Sequence, residues 1–200
     1  MQQAYGTVFD PKVVEAVKYS TQLAIFEAFP DATEQQKLLL GAIATAGTAQ
    51  EIGAYLLSLE PYLAEFAPVT DNQVKKLFPK VKKLKVPDLA AIDYRYVTYL
   101  GWTDIATNKL FLVYRLDGQL VGIEGNYNLV NKKSICFLCN RHGEVALFSA
   151  ITKFRPANAS PDYYKAIGNY MCADSAACNK NITDVAALEK FIHDVVGHRH

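Results

Sequence analysis

Four cysteines in two close pairs are the residues of this 200-residue chain whose types and spacing most clearly indicate chemistry. Cys136 and Cys139 are separated by two residues, and Cys172 and Cys178 by five. Paired thiolates are ligands that Zn²⁺ favours in structural sites, where four sulfurs at about 2.3 Å form a tetrahedron with no open position. Residues 140–171 are long enough to form a hairpin that returns the second pair to the first. We therefore expect one structural zinc ion bound by all four cysteines.

Other interpretations of the cysteines remain open. Two disulfides would suit a secreted protein, but residues 1–19 have no long apolar segment after a basic region, as a secretory signal would. A thioredoxin-like redox pair at Cys136 and Cys139 would be followed by a helix, whereas residues 140–143 have the composition of a turn. His142 lies in that turn and is an alternative metal ligand.

The residues around the cysteines indicate strands. Segments 110–116 and 119–123 flank an Asp-Gly pair at 117–118, which is a strong hairpin signal. Aromatic and β-branched residues at 94–99 predict another strand, and segment 144–152 predicts one that returns from the first cysteine pair.

Short helices complete the predicted C-terminal half. One is expected to begin at Ser160 and run to Ala166, and the last is expected to be capped by Thr183 and ended by Gly197. A tight turn around Cys136, a returning hairpin and a cysteine pair that leads into a helix together describe a treble-clef zinc site.

The N-terminal half has the pattern of a helical bundle. Four helices are predicted, and their start signals are Asp10-Pro11, Thr33 or Asp31, Thr48 with Glu51, and Thr70 with Gln73. Pro30 ends the first helix, and Gly47 is expected at the end of the second. Pro87 marks the expected boundary. The predicted fold class is α+β: a helical bundle over residues 1–86, then a mixed α/β domain with a treble-clef-like zinc finger over residues 87–200.

Composition and charge favour a globular protein with no general attraction to nucleic acid or membrane. Half of the residues are hydrophobic, a fifth are charged and the formal net charge is +1. No apolar run approaches about 20 residues, so we expect no membrane span and a cytoplasmic protein with reduced thiols. A local lysine cluster suits either a solvated helix end or a contact with an acidic protein or RNA phosphate. Its members are Lys75, Lys76, Lys80, Lys82, Lys83 and Lys85.

Catalytic motifs are absent from the sequence: it has no P-loop, no Gly-x-Gly-x-x-Gly and no Gly-x-Ser-x-Gly. A zinc ion with four sulfur ligands has no position for substrate, so we expect no catalytic residues and no enzyme. Aromatic and cationic residues near the cysteines instead predict a binding surface, for protein or for stacked RNA bases. These candidate contact residues are Phe137, Arg141, Lys165, Tyr170 and Phe191. Phe191 falls at the edge of the apolar stripe of the last helix, so a core position is the alternative for it.

The cysteine motifs resemble those of the elongation factor G-binding proteins, the FusB/FusC type of fusidic acid resistance proteins. The resembling segments are 136–140 (Cys-Phe-Leu-Cys-Asn), 171–179 and the helix start at 181–184, with the helices and strands around them extending the likeness over the chain. The resemblance implies an N-terminal helical bundle and a C-terminal treble-clef domain. It also implies that the four cysteines bind zinc and that Phe137 contacts the factor.

Members of that family bind the C-terminal domains of elongation factor G and promote its release from the ribosome. In resistance members this clears factor trapped by fusidic acid without altering the drug. The resemblance thus implies a ribosome-associated protein, which we expect to be a monomer, with nucleic acid contact secondary. The alternative is a zinc-containing RNA- or ribosome-binding module that uses the lysine cluster.

Overall fold

The structure is a computed structural model that describes residues 10–63 and 65–197. The chain divides into two compact units after Leu63, and each is described by itself. No helix among the described residues is long and apolar enough to cross a membrane.

Unit 1 is helical, as predicted. It contains α1 (Pro11–Ala28), α2 (Glu34–Gly41) and α3 (Ala49–Leu59), with 3₁₀ segments at Ala42–Thr45 and Glu60–Tyr62. The start signals are confirmed, because the side chains of Asp10, Thr33 and Thr48 each accept a hydrogen bond from a backbone N–H of the helix that follows.

The end of the second predicted helix differs from expectation. α2 ends at Gly41 and a 3₁₀ turn continues to Thr45, so Gly47 is not its terminating residue. The Gly47 N–H instead donates to the Glu51 carboxylate at 2.6 Å, together with the Thr48 N–H at 3.0 Å. The Glu51 carboxylate of the α3 capping box therefore also accepts from the residue before the N-cap.

Unit 2 is built on an antiparallel sheet in the order β1-β2-β3-β6-β7. Its strands are β1 (Leu100–Asp104), β2 (Lys109–Leu116), β3 (Gln119–Leu129), β6 (Val145–Ile151) and β7 (Ala166–Cys172). A separate short ladder joins β4 (Ser134–Ile135) to β5 (His142–Gly143). Within residues 65–197, three α-helices accompany the strands: α4 (Asp71–Leu77), α5 (Ser175–Asn179) and α6 (Ala186–Val196).

The predicted hairpin at Asp117-Gly118 is confirmed. Both residues have positive φ, 49° and 77°, which is the requirement of a type I′ turn. The hairpin pairs Leu116 with Gln119 and continues to Lys109 and Asn126.

Two apolar clusters cover the two faces of the sheet. The first cluster packs α6 and the cysteines against residues such as Leu112, Ile123 and Phe148. The second cluster joins Phe66, Val69, Val74 and Phe78 to Leu100, Phe111 and Val113.

The second cluster places residues 65–86 with the sheet, so the boundary between units lies at residue 63 and the expected boundary at Pro87 lies within unit 2. Val74 of α4 is fully buried there and Phe78 is 4% exposed. An amphipathic sequence pattern shows that a helix has a buried face, but not which layer of the fold covers that face.

Two predicted elements and one predicted helix cap of unit 2 are wrong. Residues 94–96 form a 3₁₀ turn capped by Asp93, and the strand begins only at Leu100. Residues 160–165 form no helix, with a turn at Pro161 and Asp162, and Ala166 already pairs with Ile151 in the sheet. Thr183 does not cap α6: the Asp184 carboxylate accepts from the Ala186 N–H at 2.9 Å. The predicted end at Gly197 is confirmed, with φ of 85°.

Candidate metal centre

The first cysteine pair lies in a tight turn between β4 and β5. The Cys136 N–H donates to the carbonyl of Arg141 at 3.0 Å, and the Asn140 N–H donates to the carbonyl of Cys136 at 3.0 Å. Asn140 has a φ of 54°, a left-handed conformation that asparagine tolerates better than most residues. The strand β5 follows this turn directly, where a redox Cys-x-x-Cys pair would open a helix.

The second pair joins a strand to a short helix. Cys172 is the last residue of β7, and Cys178 lies in α5, whose N-cap Asp174 accepts from the N–H groups of Ala176 and Ala177. The Phe137 N–H donates to the carbonyl of Tyr170 at 2.8 Å. This bond attaches the first cysteine turn to β7 and so aligns the two pairs.

The four sulfurs form one compact group. The Sγ atoms of Cys136 and Cys178 are 3.7 Å apart, those of Cys139 and Cys172 are 3.5 Å apart, and all four lie within 4.8 Å of one another. A disulfide bond is about 2.05 Å, and all four cysteines are free. Tetrahedral coordination with zinc–sulfur bonds of 2.3 Å requires sulfurs separated by about 3.8 Å. The geometry therefore suits a tetrahedral metal ion.

The thiols affect one another's ionisation strongly. A hydrogen bond from the Cys178 thiol lowers the pKa of Cys136 to about 4, and the N–H groups of Cys139, Leu138 and Cys172 add to this against the effect of burial. The same hydrogen bond and then burial raise the pKa of Cys178. Burial, followed by the hydrogen bond with Cys139, raises the pKa of Cys172 to about 12. Four thiolates at this spacing therefore need a cation among them, since their mutual repulsion opposes full ionisation.

Tyr99 is a neighbour of the sulfurs that sequence reasoning missed. Its side chain is fully buried, and its hydroxyl has no nitrogen or oxygen partner among the described residues. Burial and then the charge of Cys178 raise the pKa of Tyr99 well above its ordinary value. A buried hydroxyl beside this sulfur fits a site that holds Cys178 as a thiolate, because a thiolate accepts a hydrogen bond that a hydroxyl can donate.

Asn179 is a second missed residue, and it connects the metal centre to the sheet. Its amide oxygen accepts from the N–H groups of Thr98 and Tyr99 at 2.8 and 3.1 Å, and its amide nitrogen donates to the carbonyls of Tyr99 and Ser175 at 3.0 Å each. The signals in the sequence were its position next to Cys178 and its place in the resembling segment 171–179. The alternative ligand His142 is exposed and is not a member of the metal-binding group formed by the described residues.

The five predicted contact residues do not all lie on the surface. Tyr170 is 41% exposed, Arg141 and Lys165 are exposed, and Phe137 is half-buried. Phe191 is 3% exposed and belongs to the first cluster, where its ring centroid lies 5.4 Å from that of Phe137. Phe191 thus lies beneath Phe137 as part of the core.

One exposed apolar residue beside this group was not predicted as a contact. Leu147 of β6 is the register partner of Tyr170 and is 37% exposed. We use the name aromatic face for five residues, Phe137, Arg141, Leu147, Lys165 and Tyr170; Tyr170 and Leu147 are paired in the sheet, and Lys165 directly precedes β7 at its opposite end.

Comparisons with known proteins match both parts of the chain. Residues 75–194 match the family model of the FBP C-terminal treble-clef zinc-finger, and residues 1–67 match that of the elongation factor G-binding protein N-terminal domain. The structure of the fusidic acid resistance protein FusC is similar, with 28% sequence identity and a TM-score of 0.68. The similarity covers 92% of this chain and 94% of that chain. No curated protein matches the sequence significantly.

Proposed function

Because the chain belongs to the family of elongation factor G-binding proteins that carry the FBP C-terminal treble-clef zinc finger, we propose that it binds elongation factor G and protects translation from fusidic acid. The observation that carries this proposal is the group of four cysteine sulfurs within 4.8 Å of one another, inside the segment that matches the zinc-finger family. The binding surface in this proposal is the aromatic face of unit 2.

One zinc ion is the cofactor in this proposal, and Cys136, Cys139, Cys172 and Cys178 are its ligands. Zinc supplies cross-linking here, since four sulfur ligands leave no position at which a substrate or water would react. Residues of the chain position the cysteines for the ion. Backbone N–H groups donate to the sulfur of Cys136, and the Asn179 amide fixes the helix that carries Cys178 to the sheet. The cysteine turn and β7 are thereby held together, and these two segments carry Phe137 and Tyr170.

The aromatic face has the composition of a protein-binding site. Aromatic and arginine side chains dominate the binding energy of many interfaces, because they bury a large area with little loss of conformational freedom. Phe137 and Tyr170 supply the aromatic anchors, and Arg141 and Lys165 supply charge at the rim. In this arrangement the buried ring of Phe191 packs against the ring of Phe137 and supports it.

Binding would promote release of elongation factor G from the ribosome by shifting an equilibrium. A protein that prefers the conformation of the factor with weaker ribosome affinity accelerates departure, and the gain cannot exceed its differential affinity for the two conformations. No nucleotide hydrolysis by this chain and no modification of the drug are needed.

The test is a titration of purified elongation factor G with the zinc-loaded protein, before and after nuclease treatment of both. We expect saturable binding that survives nuclease and moderate salt. The second candidate function, an RNA- or ribosome-binding module, is motivated by the exposed lysines between residues 75 and 85. Binding that disappears after nuclease treatment would favour that function and contradict the first.

A further inference from the structure

The strand β3 is longer than its pairing with β6. It pairs with β2 along residues 119–126 but with β6 only along residues 126–129. On the side away from β2, residues 119–125 therefore have no strand partner in the described part of the chain.

The hairpin register shows which backbone groups of β3 lie on the side without a strand partner. The two-residue turn closes on the hydrogen-bonded pair Leu116 and Gln119, so every second residue after Gln119 bonds to β2. The N–H and C=O groups of Leu120, Gly122 and Glu124 consequently point away from β2. None of them makes a backbone hydrogen bond with another residue within ranges 10–63 and 65–197.

Hydrogen bonds made by the residues after β6 keep that part of the chain away from this edge of β3. The Thr152 hydroxyl donates to the carbonyl of Asp194 at 3.1 Å, and the Lys153 N–H donates to the carbonyl of Val195 at 2.7 Å. Residues 152 and 153 are thus bonded to α6 rather than to β3. The result is a groove of about 690 Å³ along β3, with Leu77 and Phe78 on one wall and Val195 on the other.

Basic side chains line the groove, most of them on the side of the second cluster. Four lysines and a single glutamate line it: Lys76, Lys80, Lys109, Lys153 and Glu124. None of the four lysines forms an ion pair with a described residue. Lys76 and Lys80 flank Leu77 and Phe78, which pack in the second cluster, so this charge lies on that side of the sheet.

The other side of the groove is apolar. Val121, Ile123, Val195 and Val196 line it and pack in the first cluster. Successive side chains of a strand point to opposite faces, so a strand in this groove would place alternate side chains against lysines and against valines.

We propose that the open edge of β3 binds an extended, acidic segment of a partner protein by strand addition. The backbone groups of the segment bond to those of Leu120, Gly122 and Glu124, and its carboxylates contact the four lysines. A row of free amide and carbonyl groups matches a polypeptide and not an RNA backbone, which offers no alternating row of amide donors and carbonyl acceptors. No residue of the aromatic face lines the groove, so this site is distinct from the proposed contact with elongation factor G.

The experiment uses full-length, ¹⁵N-labelled, zinc-loaded protein and a blocked peptide of about eight residues that alternates glutamate and valine. In the free protein, the N–H groups of Leu120, Gly122 and Glu124 should exchange with solvent at least about tenfold faster than those of Val121 and Ile123. Saturation with peptide should slow the exchange of the first three selectively.

Protein variants and a modified peptide separate the contributions of charge and of backbone hydrogen bonds to peptide binding. The double substitution Lys80→Glu with Lys153→Glu should weaken peptide binding by about tenfold or more, whereas Lys132→Glu, at an exposed lysine outside the groove, should leave it unchanged. Unchanged protection of Val121 and Ile123 in the double variant would verify that it folds. The same peptide with N-methylated backbone amides should not bind.

Three results would overturn the proposal. The first is peptide binding without protection of Leu120, Gly122 and Glu124, and the second is equal binding of the N-methylated peptide. The third is displacement of the peptide by a short single-stranded RNA at comparable concentration, which would show that the lysines recognise phosphate charge alone.

Discussion

At Phe137 the backbone and the ring are held by different neighbours. The backbone N–H bonds to the carbonyl of Tyr170, while the ring packs on Phe191 and stays half-exposed. A side chain held in this way loses little conformational freedom when a partner covers it, which favours tight binding.

Substitution Phe137→Ala should weaken the binding of elongation factor G by about 1–4 kcal/mol, because it removes the proposed central anchor of the aromatic face. Titration calorimetry of the zinc-loaded proteins measures the change. Ile105→Ala, which truncates an 86% exposed side chain in the turn after β1, is the matched control and should have no effect. Equal affinities for Phe137→Ala and the unchanged protein would remove Phe137 from the contact.

Asn179 should matter for stability more than its half-buried position suggests. Substitution Asn179→Ala leaves the N–H groups of Thr98 and Tyr99 without their acceptor, which should cost about 1–3 kcal/mol of unfolding free energy. Asn181→Ala is the control, since among the described residues the Asn181 amide donates to the carbonyl of Ala177 alone. Denaturant unfolding of the zinc-loaded proteins compares them, and similar losses for both would contradict a special role for Asn179.

At the scale of elements, the cysteine group connects three segments of unit 2. The turn between β4 and β5, the end of β7 and the short helix α5 each contribute to it. Helices as short as α5 are marginal on their own, so a metal ion bound to Cys178 would supply much of what keeps it folded.

Metal removal should therefore unfold this part of unit 2 and leave unit 1 unaffected. Protein purified without added metal should contain about one equivalent of zinc. Cys172→Ser should lower that content and raise hydrogen exchange around residues 134–143 and 172–180, with no change in α1 to α3, as measured by mass spectrometry. His142→Ala is the control and should keep its zinc, and metal loss in that variant would make His142 a ligand.

The start of α3 should be sensitive to acid. The N–H groups of Gly47 and Thr48 donate to the Glu51 carboxylate and lower its pKa below the ordinary value of 4.5. A lowered pKa in the folded state means that this stabilisation is complete above the unfolded pKa and is lost as the pH falls through the folded one.

Thermal unfolding followed by circular dichroism at 222 nm, at neutral and at acidic pH, tests this expectation. Glu51→Gln should reduce the difference between the two pH values, because the amide cannot ionise. Glu15→Gln, at an exposed residue of α1, should not alter the difference. The assignment fails if both variants respond to acid alike.

At the scale of the whole molecule, one unit carries the zinc site and the aromatic face, while the other is a set of helices with few buried side chains. Ile43 and Ala46 are the buried residues among the described residues of unit 1. Under the proposed function the protein acts on its partner through binding energy, so its effect should saturate with concentration.

The off-rate of labelled elongation factor G from ribosomes stalled by fusidic acid should rise as the protein is added and then reach a plateau. No nucleotide hydrolysis by this chain should be required, and the mass of the drug should not change. Phe137→Ala should shift the plateau to higher protein concentration. An unchanged off-rate at saturating protein would leave a binder that does not release the factor, and an altered drug mass would reveal an enzyme.

Local signals in the sequence determined the features that depend on a few adjacent residues. Capping residues such as Thr33 and Thr48, the Asp117-Gly118 turn and the stop at Gly197 were predictable because each fulfils a requirement of its own backbone. The spacing of the cysteines likewise indicated that two pairs would meet.

Tertiary structure decided the features that depend on what packs against a segment. Residues 94–96 have the composition of a strand but form a 3₁₀ turn, and α4 has the pattern of a bundle helix but packs on the sheet. Phe191 was a candidate surface residue and lies in the core, while Asn179 connects the metal centre to residues 80 and more positions away in sequence. Burial and long-range hydrogen bonds decide these cases, because the free energy of a side chain depends on neighbours that are distant along the chain.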